Sequence, residues 1–410
     1  MRVLWLCNIV LPELTEEFGF RKKVSVGGWL TGMWTELKKE PGITLGICVP
    51  VINEERMKDG LYQGYNYYSF QLCDEEDNEK QARRFGDILK DFKPDVIHIW
   101  GTEYNHSYNM LLACKKMELL NRVVVNIQGL VTYYKKVFQL GIPDIDYHKE
   151  IAGKAISDGQ KEFEKNSITE IDTLKNVQHV IGRTDWDRAC VYDINPACKY
   201  HYCGEIMRPE FYEPVGTRDF VDHRILISQA SYPIKGLHNV LEQLGKLRDD
   251  YADLSIHIAG TNLYEADIPY AQYIKNLIRK YDMEKCISFV GMLDASNMKR
   301  EYNEAQVFLS CSNIENSSNS ICEAMLAGTP VVASYVGGTG SFVKHEKTGL
   351  LYPVNEPQIM SLYIRKLFED EKLATSISSE AKKEISEFVD RDKNREILIS
   401  IYNDILKQSS

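Results

Sequence analysis

Glu315 and Glu323, with seven residues between them, lie in the stretch VFLSCSNIENSSNSICEAMLAGTPVVAS that runs from Val307 to Ser334. Val307-Phe308-Leu309-Ser310 has the make-up of a buried strand, and the polar run 312–319 is the loop leaving its C-terminal end. Ser320 is expected to cap a helix that contains Ala324, Met325 and Leu326 and stops at Gly328, after which Thr329-Pro330 leads into the strand Val331-Val332-Ala333-Ser334. This order puts a helix N-terminus at the ligand-facing edge of a sheet. Unpaired backbone N–H groups from Asn319 to Cys322 can receive a diphosphate there, with the helix dipole adding to the attraction. Glu323 then sits in the first turn and Glu315 on the loop, two carboxylates beside an anion site. Two plain readings stand beside a ligand role: Glu323 closing a capping box with Ser320, and Glu315 as a solvated loop acid.

A cation belongs to the same picture. Pro233-Ile234-Lys235-Gly236 lies between a strand and a helix start, and a lysine there opposes the helix dipole, which favours a bound anion over an ordinary surface lysine. Metal chemistry is not expected. Asp144-Ile145-Asp146 has the outline of a D-x-D metal motif, but it follows Gly141-Ile142-Pro143 in a polar excursion rather than a strand.

The elements that must carry these residues follow one pattern: short β-rich runs alternate with helix-period segments, as in parallel-sheet α/β proteins. In the first half the strands are expected at 2–7, 43–49, 65–70, 95–100, 122–127 and 178–183, with helices such as 79–92 and 106–119 between them. Residues 149–175 read as a long polar helical excursion. A second series has strands near 223–228, 254–259, 286–290, 306–310 and 330–334. Between the series, Met207-Arg208-Pro209-Glu210-Phe211-Tyr212-Glu213-Pro214 interrupts regular structure, and we place the domain boundary there. The expectation is two Rossmann-like doubly wound domains facing each other across a cleft that collects loops from the carboxyl ends of both sheets. They comprise residues 1–212 and 213–388, with a terminal amphipathic helix at 389–410 carrying Ile397, Leu398, Ile401, Ile405 and Leu406.

The bulk numbers narrow the function classes. A chain of 410 residues exceeds one ordinary core. Its formal net charge of -10 speaks against a nucleic-acid partner, which needs a basic face. No apolar run approaches the ~20 residues that span a bilayer. Arg21-Lys22-Lys23 beside Phe18 and Phe20 offers at most a peripheral membrane contact. The ten cysteines are scattered without C-x-x-C pairs or zinc spacing, which fits free thiols in a reducing cytoplasm, with the inner membrane face as the alternative address.

The E-x7-E pair, the Ala324-Met325 that follows it, Gly328-Thr329-Pro330, Val331-Val332-Ala333-Ser334 and Gly337-Gly338 together resemble the signature region of retaining GT-B glycosyltransferases, specifically glycosyltransferase family 4. The resemblance covers the second half of the chain and extends more loosely over the first, and it implies that the 389–410 helix crosses back to the first domain. It implies that Glu323 holds the ribose hydroxyls of a nucleotide-diphosphate sugar and that Glu315 contacts hydroxyls of the donor sugar. Asn316, Ser317, Ser318, Asn319, Ser320 and Ile321 would line the sugar and diphosphate. Lys235 would neutralise the leaving diphosphate, and Gly27 and Gly28 would form the glycine-rich loop of the first domain. A carboxylate suits a vicinal diol, since it accepts two hydrogen bonds.

Two positions depart from the family pattern. The usual Arg shortly before the Lys is missing from Ser228-Gln229-Ala230-Ser231-Tyr232, with Arg183 and Arg208 as possible substitutes. Gln128 stands where many members carry a His at the reaction centre, and it can polarise but not act as a general base. Glu103 and His106, beyond the strand that ends at Trp100, are the candidates for acceptor contacts or proton transfer; a loop acid and a helix cap are the bland readings. The expected activity is retaining, metal-independent transfer, without a cofactor, from a nucleotide sugar to a saccharide or lipid-linked saccharide in surface polysaccharide biosynthesis. A nucleotide-sugar 2-epimerase and a non-catalytic nucleotide-sugar-binding subunit are the alternatives.

Overall fold

The computed structural model describes residues 1–15, 28–51, 57–73, 77–213 and 218–409. Gly27 and the basic 21–23 stretch fall outside them, and Gly28 opens the helix Gly28–Leu37. The chain forms two compact units, one of residues 1–133, 163–206 and 390–410, the other of 134–162 and 207–389.

The first unit contains β1 (Arg2–Leu6), β2 (Thr44–Val51), β3 (Gly60–Tyr62), β4 (Tyr65–Gln71), β5 (Val96–Trp100), β6 (Val123–Asn126), β7 (His179–Gly182) and β8 (Lys199–Tyr202). They form one sheet in the order β3-β4-β2-β1-β5-β6-β7-β8, parallel throughout except for the β3–β4 pair. Val96, Ile97, Ile99, Val123, Val124 and Val125 are all buried, as strands covered on both faces require. The second unit contains β9 (Val221–Ser228), β10 (Ser255–Ala259), β11 (Ile287–Gly291), β12 (Ala305–Ser310), β13 (Val331–Ser334) and β14 (Leu350–Tyr352). Its sheet is wholly parallel in the order β11-β10-β9-β12-β13-β14.

A single cut near residue 212 does not describe this division, because 134–162 groups with the second unit. The reason is local bonding. The Leu140 carbonyl accepts from His238 Nε2 at 2.8 Å and Asn313 Nδ2 at 3.3 Å. The long polar helical excursion expected at 149–175 contains the helix Ile156–Lys175. Asp144 and Asp146 lie on the four-residue helix Asp144–Tyr147, with Asp144 3.3 Å from His148.

The terminal helix Arg391–Ser409 belongs to the first unit and buries Leu398, Ile401, Tyr402 and Ile405. The Tyr402 hydroxyl joins an aromatic cluster. It meets His98 Nδ1 at 2.7 Å and accepts from Trp5 Nε1 at 3.1 Å, while the His98 ring stacks on Trp100 at 4.4 Å between centroids. His98 is thus a core histidine.

Burial lowers the His98 and His106 pKa values from 6.5 to about 3, and those of His201 and His238 to about 4. A depressed imidazole pKa means that the unfolded chain binds protons first as the pH falls. The stability these rings allow is therefore complete above about 6.5 and is lost progressively below it, by up to ~1.4 kcal/mol per pH unit for each ring. Urea midpoints should drop on going from pH 7.5 to about pH 5. His106→Phe, which keeps an aromatic ring stacked on Tyr104 and tilted against Phe70, should flatten that slope. An unchanged slope would show that His106 does not contribute.

Candidate functional site

In each sheet the strand order reverses at one point, and there the loops leaving neighbouring strands diverge to open a crevice. In the second unit that point lies between β9 and β12. The loop after β9 ends in the single turn Pro233–Lys235, and the loop after β12 carries residues 311–318. Several bonds tie the two loops together. The Asn313 backbone N–H donates to the Ile234 carbonyl at 2.7 Å, the Asn313 side chain donates to the Pro233 carbonyl at 3.3 Å, and the Cys311 thiol donates to the Lys235 carbonyl at 3.2 Å.

Gly236 makes the approach possible. Its φ is +68°, and a Cβ on it would collide with the Cys311 carbonyl oxygen. Gly236→Ala should therefore cost on the order of 1–3 kcal/mol and push the two loops apart. A thermal melt would register the lower Tm; an unchanged Tm would mean the loops are not fixed by this contact. Gly337, with φ +49°, stands in the same relation to the Glu315 carbonyl, and Gly338 donates its N–H to that carbonyl at 2.9 Å.

These loops bring Lys235 and Glu315, 80 residues apart in sequence, into an ion pair of 2.6 Å. The same oxygen of Glu315 accepts from the Ser312 hydroxyl at 2.7 Å. Both side chains are largely buried. Burial works against the lysine charge, but the Glu315 carboxylate with the nearby Tyr232 and Cys311 together outweigh it, so the Lys235 pKa lies above its ordinary value. Lys235 is a fixed cation at a sheet edge.

The helix after β12 is Asn319–Ala327, with Ser318 rather than Ser320 in the N-cap position. The Ser318 carbonyl takes the N–H groups of Ile321 at 3.1 Å and Cys322 at 3.2 Å. Those two amides are therefore committed, and an anion would meet the earlier ones, at Asn319 and Ser320. Ile321 turns its side chain into the core. Ser318 and Ser320 share a hydroxyl–hydroxyl contact of 2.9 Å. The capping box does not form. Glu323 instead accepts at Oε1 from Arg208 Nε at 2.9 Å and Nη2 at 2.7 Å, and at Oε2 from the Tyr302 hydroxyl at 3.3 Å. Burial raises the Glu323 pKa, and the Arg208 guanidinium opposes that rise. Neither Glu315 nor Glu323 is a solvated surface acid.

In the first unit the order reverses between β1 and β5. Glu103 follows β5, accepts from the Thr102 N–H at 2.9 Å, and has its pKa raised by burial. Asn8, after β1, donates to the Tyr104 hydroxyl at 3.1 Å. His106 is only 3% exposed, within the helix Asn105–Lys116, so its burial removes it from reach of an acceptor. Gln128, after β6, donates to the Asn126 side chain at 3.1 Å. Arg183 is held by Glu205 at 2.5 Å and is 3% exposed. That leaves Arg208 as the one of the two arginines at the E-x7-E pair.

Sequence reasoning passed over Tyr302 and Glu170. Glu170 accepts from the N–H groups of Val131 at 3.1 Å and Thr132 at 2.8 Å and from the Thr102 hydroxyl at 3.0 Å. Both are buried within helices, Ala295–Glu304 and Ile156–Lys175, where spacing alone does not single them out from their polar neighbours.

Among the described residues, no group of three or more His, Cys, Asp or Glu side chains could hold a metal ion, and no helix is long and apolar enough to cross a membrane. Residues 220–384 match the family model described as glycosyl transferases group 1. The chain is 27% identical over 208 residues to a putative glycosyltransferase, YtcC, of Bacillus subtilis, covering 50% of each. It is 25% identical over 170 residues to a putative colanic acid biosynthesis glycosyltransferase, WcaL, of Escherichia coli, covering 40% of each. It spans half or less of the length of these curated relatives. Among solved structures, sucrose-phosphate synthase from Thermosynechococcus elongatus superposes with a TM-score of 0.74 at 16% identity, covering 99% of each chain. Two doubly wound, largely parallel sheets, a glycosyl transferases group 1 match over 220–384 and this likeness along the whole chain together give the protein the GT-B fold of glycosyltransferases.

Proposed function

We propose that the protein is a retaining, metal-independent glycosyltransferase of the family 4 kind. It would move a sugar from a nucleotide-diphosphate sugar to a saccharide or lipid-linked saccharide acceptor in surface polysaccharide biosynthesis. The observation that carries this reading is the Lys235–Glu315 pair at the β9/β12 crevice, beside the N-terminus of the helix that bears Glu323. The name of WcaL, a colanic acid biosynthesis glycosyltransferase, supports the polysaccharide setting.

Each group has a task in this reading. The diol of the ribose donates to Glu323, and hydroxyls of the sugar donate to Glu315. The diphosphate takes the amides of Asn319 and Ser320 and the ammonium of Lys235, which leaves Glu315 to the sugar. As the glycosidic C–O bond to the diphosphate breaks, negative charge grows on the leaving oxygen. Lys235 and the helix end are already in place to stabilise it, so this step draws on the protein's own positive charge. The acceptor oxygen attacks the anomeric carbon on the face the diphosphate leaves and passes its proton to the departing phosphate oxygen. Glu103 and Gln128 serve the acceptor side.

The test is direct: incubate the protein with a panel of uridine and guanosine diphosphate sugars, and follow the first product by proton NMR before mutarotation. Even slow transfer to water reports the stereochemistry. A product with the donor's anomeric configuration, formed at the same rate with EDTA present, is expected. An inverted product, or loss of the reaction with EDTA, contradicts the proposal.

A further inference from the structure

Arg208 is the first charged residue of the turn that enters the second unit, and it lies 115 residues before the carboxylate it holds. Its guanidinium is braced by the Phe211 ring, 5.0 Å away, within the same Pro209–Tyr212 turn. It donates both Nε and Nη2 to one oxygen of Glu323, Oε1. Among the described residues, the second oxygen, Oε2, has only the longer contact to Tyr302 at 3.3 Å. One oxygen is therefore saturated with donors and the other retains accepting capacity.

We propose that Arg208 is a positioning residue for the ligand-binding carboxylate: it keeps Glu323 ionised and fixed through Oε1, so that Oε2 can accept hydrogen bonds from a vicinal diol. This rests on the nucleotide-sugar reading above and adds the device that makes Glu323 usable at neutral pH. Glu323 sits in a poor place for a negative charge. It is 7% exposed, burial pushes its pKa up, and Glu210 pushes in the same direction. The charged and titratable groups that face it are Arg208, Tyr302 and Glu210, and of these only Arg208 is a cation. A protonated carboxyl would present an O–H donor where the diol also brings donors, and half of its accepting capacity would be gone.

The test uses nucleosides, which carry the diol without a titrating phosphate. Uridine and guanosine are titrated into the full chain by ligand-observed NMR from about pH 6 to about pH 8.5, with the wild type, Arg208→Ala and Arg208→Lys compared. The wild type and the Lys variant should lose less affinity than the Ala variant toward the acid end, because a cation opposes the burial-driven rise in the Glu323 pKa. The Ala variant should bind roughly tenfold more weakly or worse at the acid end. It should recover as the pH rises through the elevated Glu323 pKa, by up to about tenfold per pH unit. Adding Glu323→Gln to the Ala variant should abolish that pH dependence. If the Ala variant does not fold, Arg208→Gln, which keeps a donor but not the charge, serves in its place.

Equal weakening at every pH, or no weakening, overturns the role given to Arg208 while leaving the nucleotide-sugar reading intact. If the unaltered chain binds neither nucleoside nor their diphosphates at any pH, both fall together.

Discussion

Replacing Lys235 with alanine should lower the turnover of a nucleotide-sugar donor by roughly 10²–10³-fold, the loss seen when one pre-positioned charge or donor is taken from a developing anion. The effect should fall on kcat, because the charge on the leaving diphosphate grows only as the glycosidic bond breaks. Steady-state kinetics on the variant, with the fold checked by circular dichroism, decides the matter. A rise in KM with kcat unchanged would assign Lys235 to ground-state binding alone.

The variant also carries a structural cost, since among the described residues Glu315 keeps only its Ser312 partner. The pair is not fully buried, with side-chain exposures of 18% and 11%, so the penalty should be about 1–3 kcal/mol, short of that for a fully enclosed pair. Lys235→Arg should not restore activity. The guanidinium is planar and broad, whereas the Lys235 ammonium meets a single Glu315 oxygen that the Ser312 hydroxyl already shares.

The second large effect belongs to Glu323. Glu323→Ala removes a charged acceptor of two diol hydrogen bonds and should weaken nucleotide binding by about 3 kcal/mol, on the order of 100-fold in Kd. The ligand-free protein should remain folded. The helix start is held by the Ser318 carbonyl rather than by a capping box, and Arg208, with 20% of its side chain exposed, can turn to water. The Tyr302 hydroxyl is left buried without this partner, which limits the stability loss to about 1–3 kcal/mol. Calorimetric titration with uridine and guanosine diphosphates measures the first quantity and a thermal melt the second. A variant that binds as tightly as the wild type would detach Glu323 from the ligand.

Much of this arrangement was legible in the sequence, because its strands are long, apolar and bounded. Val96–Trp100 and Val123–Asn126 stand within a residue of their expected limits. Three strands were not anticipated: Gly60–Tyr62, Lys199–Tyr202 and Leu350–Tyr352. All three are sheet edges of three or four residues, bonded to one neighbour, and Lys199-Tyr200-His201-Tyr202 contains no aliphatic side chain to signal burial. The placement of 134–162 was hidden for another reason, since what binds it is the carbonyl of Leu140, a backbone group that carries no side-chain signal.

The site divides in the same way. The types of Lys235, Glu315 and Glu323 and their place beside a helix start could be read directly. Their pairing could not, because partners 80 and 115 residues apart meet only once the sheet order is known. The cap assignment failed by two residues. Ser318 and Ser320 are both good N-cap residues, and only the carbonyl that takes the Cys322 N–H distinguishes them.

The β9/β12 crevice is expected to take a nucleoside diphosphate. A crystal structure of the protein with whichever of uridine or guanosine diphosphate raises its Tm most addresses that claim. The account predicts a diphosphate within about 3 Å of the Asn319 and Ser320 amides and of the Lys235 ammonium, with the ribose hydroxyls on Glu323. A nucleotide bound elsewhere, with Lys235 still closed on Glu315, would contradict it.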